Sequence, residues 1–131
     1  MQILGVHHVA VIASDYEASK AFYTDVVGFT LEAEYFRAER DSWMGKLALN
    51  GTYILELFSF GAKPGPPARP SNPEALGLRH LAFAVSDVDA AHAELRARGV
   101  DCEELRTDPN TLKKMFFFRD PDDLPLEIYE A

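Results

Sequence analysis

Cysteine is almost absent from this chain of 131 residues, with Cys102 the only one. A lone thiol excludes an internal disulfide and fits a reducing, cytoplasmic setting. Long hydrophobic runs are absent too. None approaches the ~18 apolar residues of a membrane helix, so no membrane span is expected. The N-terminus lacks a basic segment followed by an apolar stretch, so no secretory signal is evident. Positive charge is scarce: 13 Lys and Arg against 21 Asp and Glu leave a net charge of −8. That balance disfavours nucleic acid and anionic membranes as partners, because their phosphates attract Lys and Arg. It serves solubility equally well. A hydrophobic content of 47% is ordinary for a globular chain. The length allows one compact unit, or two small modules sharing a core.

What the chain does have is a duplication. His8 and His80 stand 72 positions apart, and Glu56 and Glu127 stand 71 apart. One copy opens His8-Val9-Ala10-Val11-Ile12-Ala13-Ser14-Asp15, the other His80-Leu81-Ala82-Phe83-Ala84-Val85-Ser86-Asp87. Each opening leads into a helical stretch that stops at Gly28 or Gly99. Such a repeat fixes architecture ahead of any local signal. Each copy contributes one imidazole and one carboxylate. Two of each make a mixed nitrogen and oxygen ligand set for one divalent metal, whether zinc, nickel, cobalt, iron or manganese.

Each half reads as a strand, a helix and three strands. The first strands fall at 6–13 and 79–86, apolar runs with polar or glycine ends. Asp15 and Asp87 are natural helix N-caps. Helical spacing continues to Val27 in one half and to Arg98 in the other. Further strands are expected near 29–37, 43–49 and 52–60, and near 100–106, 112–119 and 124–130. Asn50-Gly51 is a hairpin turn, and Asp120-Pro121-Asp122-Asp123 joins the last pair. Residues 61–77 hold Pro64, Pro66, Pro67, Pro70 and Pro73 and form a stiff linker. The division is module one at about 1–60 and module two at about 78–131, within a single domain of 1–131. The fold class is α+β.

Strand alternation then sorts the side chains. His8, Ala10 and Ile12 share a face, as do His80, Ala82 and Ala84. Val9 and Val11, and Leu81, Phe83 and Val85, form the opposite faces that suit the helices. Glu56 lies between Leu55 and Leu57, and Glu127 between Leu126 and Ile128, so each carboxylate points away from the apolar side. A bare carboxylate in an apolar strand is costly unless a positive partner meets it. His7 is a weaker ligand, since its repeat equivalent is Arg79. His92 falls on a predicted helix surface and receives no role.

The segments HHVAVIASDYEASKAFYTDVVGF, YILELF, GLRHLAFAVSDVDAA and FFRDPDDLPLEIYE resemble the vicinal oxygen chelate superfamily over nearly the whole chain. The resemblance implies two paired βαβββ modules forming an open, U-shaped mixed sheet around a metal cleft. It implies His8, Glu56, His80 and Glu127 as ligands. Two carboxylates look most like the glyoxalase I branch. Two departures stand out. Where glyoxalase I commonly has a glutathione-binding Arg, four residues past the first ligand His, this chain has Ile12. Where it commonly has an Asn, four past the first ligand Glu, this chain has Phe60.

The resulting expectation is a metal-dependent lyase or isomerase of the lactoylglutathione lyase kind. It moves a proton between adjacent carbons of a small α-oxo or thiol-conjugated substrate. Glu127 is the first choice of base and Glu56 the alternative. Alternatives are an Fe(II) dioxygenase of the same fold and a non-catalytic small-molecule binder. Candidate substrate contacts are Arg37, Trp43, Phe58, Phe60, Lys113 and Lys114, with Arg40, Arg69, Phe118 and Tyr129 behind them. Lys113 and Lys114 are expected in a mobile, lid-like stretch. A homodimer is expected, with the metal site either within one chain or across two.

Overall fold

Two apolar faces need covering in this sequence, one per copy of the repeat, and each copy covers its own. A computed structural model describes residues 1–61, 70 and 73–131. It divides into two units, Met1–Pro67 and Ala68–Ala131. The first holds β1 (Val9–Ile12), α1 (Tyr16–Ala21), β2 (Thr30–Arg37), β3 (Ser42–Leu49) and β4 (Thr52–Phe58). The second holds β5 (Leu81–Val85), α2 (Val88–Ala97), β6 (Arg106–Thr107), β7 (Lys114–Arg119) and β8 (Pro125–Glu130).

The two sheets have the same topology. Their strand orders are β1-β4-β3-β2 and β5-β8-β7-β6. In each, the first strand pairs in parallel with the last, and the other pairings are antiparallel. Each module is therefore βαβββ with a mixed sheet, as the duplication implies. The linker prolines Pro64, Pro66 and Pro67, and Arg69, lie outside the described residues.

The helices begin where the sequence places them. Asp15 accepts from the Ala18 amide at 3.2 Å, and Asp87 accepts from the Ala90 amide at 2.9 Å. α1 does not run on as one regular helix: Phe22–Val27 continues it with a wider, π-type hydrogen-bond pattern. Gly28, at φ 100°, ends it, and its amide donates to the Tyr23 carbonyl at 3.1 Å. The π turns place Tyr23 fully buried against Phe29, with ring centroids 5.9 Å apart.

The core of the first sheet is the face carrying Val11, Leu47, Leu55 and Leu57, all buried. That of the second carries Phe116, Phe118, Leu126 and Ile128. Three expectations are corrected here. The strand foreseen at 100–106 shrinks to Arg106–Thr107; upstream of it, the Glu103 amide reaches the Phe117 carbonyl at 2.9 Å. His92 is not on the helix surface but buried. Its Nε2 meets the Glu103 carbonyl at 2.9 Å and its ring stands edge-on to Phe116 at 4.8 Å. A buried imidazole bonded to a backbone carbonyl satisfies its own polarity and anchors the segment before β6. Phe118 is a core residue, 2% exposed.

Candidate metal centre

The parallel pairing of first and last strand is what brings imidazole to carboxylate. In the first sheet Ala10 is opposite Glu56, and in the second Ala82 is opposite Glu127. Each histidine lies two residues before that alanine, on the same face, so it lands beside the carboxylate. His8 Nε2 is 3.2 Å from Glu56 Oε2, and His80 Nε2 is 3.0 Å from Glu127 Oε2. The apolar neighbours face the other way: Leu55, Leu57 and Leu126 are fully buried and Ile128 nearly so. Glu127 is itself 7% exposed.

The predicted ligands thus come together as two His–Glu pairs in equivalent registers. Among the described residues no group of three or more His, Cys, Asp or Glu gathers closely enough to hold a metal. The donor chemistry of each pair fits half of such a site. An imidazole nitrogen and a carboxylate oxygen both present lone pairs, so at this separation a proton or a cation must lie between them. Metal–nitrogen and metal–oxygen bonds of about 2.0–2.2 Å at a near-right angle place neighbouring donors about 3 Å apart. His80 Nδ1 is buried with no partner, while His8 Nδ1 is 2.8 Å from His7 Nδ1.

Two residues around the first pair escaped the sequence reading. The Asn50-Gly51 turn by itself would pair Lys46 with Leu55. A bulge between Leu47 and Ala48 shifts the register, so that Leu47 meets Leu55 and Lys46 meets Glu56. The same bulge turns Tyr53 onto the Glu56 face, where its ring stacks on His8 at 5.2 Å. Simple alternation would place Tyr53 with Leu55. Burial first, and then the Glu56 carboxylate, push the Tyr53 phenol up to about 12. Lys46 Nζ lies 5.5 Å from the Tyr53 ring centre. His7, the weaker ligand candidate, has its Nδ1 2.8 Å from that of His8. Around the second pair, Phe117 is the register partner of Glu127 and stands edge-on to His80 at 5.2 Å.

The candidate substrate contacts separate by face. Arg37, Phe58 and Phe60 gather on the Glu56 side of the first sheet, with the Arg37 guanidinium 4.9 Å from the Phe58 ring centre and 5.6 Å from that of Phe60. Trp43 is on the other face, stacked on Tyr16 of α1 at 5.7 Å. Lys114 is held in β7 rather than in a lid: its ammonium pairs with Asp89, and its amide donates to Glu130 at 2.8 Å. The Lys113 carbonyl accepts from the Asp108 amide at 2.8 Å, closing the turn before β7. The Tyr129 hydroxyl donates to Asp108 at 3.0 Å and contacts Thr111. Burial pushes the Cys102 thiol up, away from thiolate chemistry.

The sequence profile of the glyoxalase/bleomycin resistance protein/dioxygenase superfamily matches residues 5–128. The chain belongs to that superfamily. It is 62% identical over 125 residues to the uncharacterized protein YaeR of Escherichia coli (strain K12), covering 95% of each chain. The crystal structure of SMU.1112c is similar throughout, with a TM-score of 0.90 and 46% identity, covering 98% of this chain and 100% of that one. A 2-epi-5-epi-valiolone epimerase from Actinomyces sp is 31% identical, over 95% of this chain and 78% of that protein. The superfamily thus includes enzymes. No helix among the described residues is long and apolar enough to cross a membrane.

Proposed function

We propose that this protein is a metal-dependent lyase or isomerase of the glyoxalase I kind, acting on a small α-oxo or thiol-conjugated substrate. The observation that carries the reading is the repeated pair: His8 with Glu56 at 3.2 Å and His80 with Glu127 at 3.0 Å, at matching register positions of two sheets. One pair from each module would complete a four-donor centre, whether within one chain or in a homodimer. A divalent cation held there supplies a Lewis acid that polarises a substrate carbonyl and acidifies the adjacent C–H.

The protein's own groups do the remainder. A Glu127 carboxylate oxygen takes the proton from that carbon, exchanges it with solvent and delivers a proton to the neighbouring carbon, while the hydroxyl proton passes from one substrate oxygen to the other; Glu56 is the alternative base. Phe117, edge-on to His80, would limit water on the Glu127 side. The names of relatives support this reaction class. Besides the epimerase, a lactoylglutathione lyase of Schizosaccharomyces pombe (strain 972 / ATCC 24843) is 28% identical over 98% of this chain and 48% of that longer protein. Ile12 and Phe60, at positions where glyoxalase I commonly binds glutathione, leave another thiol or a thiol-free substrate as the better partner. A cytoplasmic location fits the lone cysteine.

The test is turnover of methylglyoxal with several thiols in deuterated water, using protein of measured metal content. Solvent deuterium in the product carbon, lost in Glu127→Gln or Glu56→Gln, is expected. Turnover that survives both substitutions overturns the reading, and strict dependence on oxygen would reassign it to dioxygenase chemistry.

A further inference from the structure

Several cations among the described residues are committed to carboxylates. Lys20, Arg79, Arg96, Arg98, Arg106 and Lys114 each sit against a Glu or Asp. Arg37 and Arg40 are exceptions among the described residues. Glu39 and Asp41 flank Arg40 in sequence, yet neither pairs with it or with Arg37.

The two guanidiniums are nevertheless held in place. Arg37 Cζ lies 4.9 Å from the Phe58 ring centre and 5.6 Å from that of Phe60, and Arg40 Cζ lies 5.1 Å from the Phe60 ring. The Phe58 and Phe60 rings stack at 5.7 Å, 15° from parallel. Arg37 Nη2 donates to the buried Ser42 hydroxyl at 2.7 Å, while its Nε has no acceptor. Two cations are thus fixed on one aromatic shelf, with more donor capacity than the fold uses. Register sets the shelf on the substrate face. Arg37 is opposite Ser42, Met44 is opposite Phe58, and Lys46 is opposite Glu56. These residues alternate onto one side of the sheet. Phe58 follows Glu56 by two residues, about 6–7 Å along the strand.

We infer that the Arg37–Arg40 shelf on Phe58 and Phe60 is an anion-binding subsite that takes a carboxylate or phosphate on the substrate, on the same sheet face as Glu56. The inference rests on the reading of the His8–Glu56 face as the substrate face. It also accounts for Phe60: the ring replaces an uncharged amide donor with a platform for two arginines. Arg is suited to this task, since its planar fork meets both oxygens of a carboxylate or phosphate while its face stays on the ring.

Calorimetric titration of the purified protein with malonate, inorganic phosphate and malonamide tests this at low ionic strength. Malonate or phosphate binds, whichever is tighter naming the anion, and malonamide does not. Binding weakens about tenfold or more in Arg40→Gln, which is exposed and leaves the fold intact, and in Arg37→Lys, which keeps charge but loses the fork. Metal-stripped protein binds the anion as tightly as metal-loaded protein, so this inference stands or falls separately from the proposed reaction. Equal binding by wild type and both arginine variants, equal binding of malonamide, or no binding of either anion overturns it.

Discussion

Glu34 lies under Lys20 and Tyr16, accepting from Lys20 Nζ at 2.8 Å and from the Tyr16 hydroxyl at 2.9 Å. The Lys20 contact holds its carboxyl below the usual carboxylate range, against partial burial that works the other way, and Tyr16 helps. A carboxyl lowered in the folded state contributes stability above its unfolded pKa, near 4.5. That contribution disappears as pH falls through the folded value. Urea unfolding of Glu34→Gln should therefore show a loss of about 0.5–1 kcal/mol at pH 7 that shrinks toward zero below pH ~4. A loss independent of pH would mean that the ion pair is not its source. At the centre itself, Glu56→Gln and Glu127→Gln should each weaken metal affinity by at least about tenfold in a chelator competition. The four residues of the two pairs were legible from the sequence because a duplication repeats them. Tyr53 and Lys46 were not, because one inserted residue in a hairpin shifts the register and leaves no compositional trace.

Helices and strands here carry their own stop and start chemistry, and most of that was legible. Asp15 and Asp87 cap α1 and α2 as expected, and Asp15→Ala or Asp87→Ala should each cost about 1 kcal/mol in thermal or urea unfolding. Wild-type stability in either variant would remove the capping argument. The close approach of α1 to β3 is a property of packing that the sequence does not announce. A Cβ built on Gly45 would stand 2.5 Å from the Tyr16 hydroxyl oxygen and 3.4 Å from its Cζ. Gly45→Ala should thus destabilise by about 1–3 kcal/mol, and far less in a Tyr16→Phe background. Additivity of the two substitutions would show that this contact does not set the spacing. The shortened β6 went unseen for a related reason. The His92 ring meets the Glu103 carbonyl at 2.9 Å and ties that backbone to α2.

For the whole molecule, the duplication seen in sequence becomes two sheets of identical strand order, and the same duplication gives each a half-set of donors. How the halves are pooled has a simple readout. A metal centre shared between chains makes metal stoichiometry depend on association. Light scattering of metal-loaded and metal-stripped protein should then report a dimer in the first and a larger monomer fraction in the second.

The central claim is that one imidazole and one carboxylate from each module serve a single cation. Elemental analysis of the purified protein, with His8→Ala and His80→Ala alongside, tests it most directly. The account predicts about one transition-metal ion per chain in the wild type and marked loss in both variants. A wild type without bound transition metal, or a full complement retained in either variant, would contradict it.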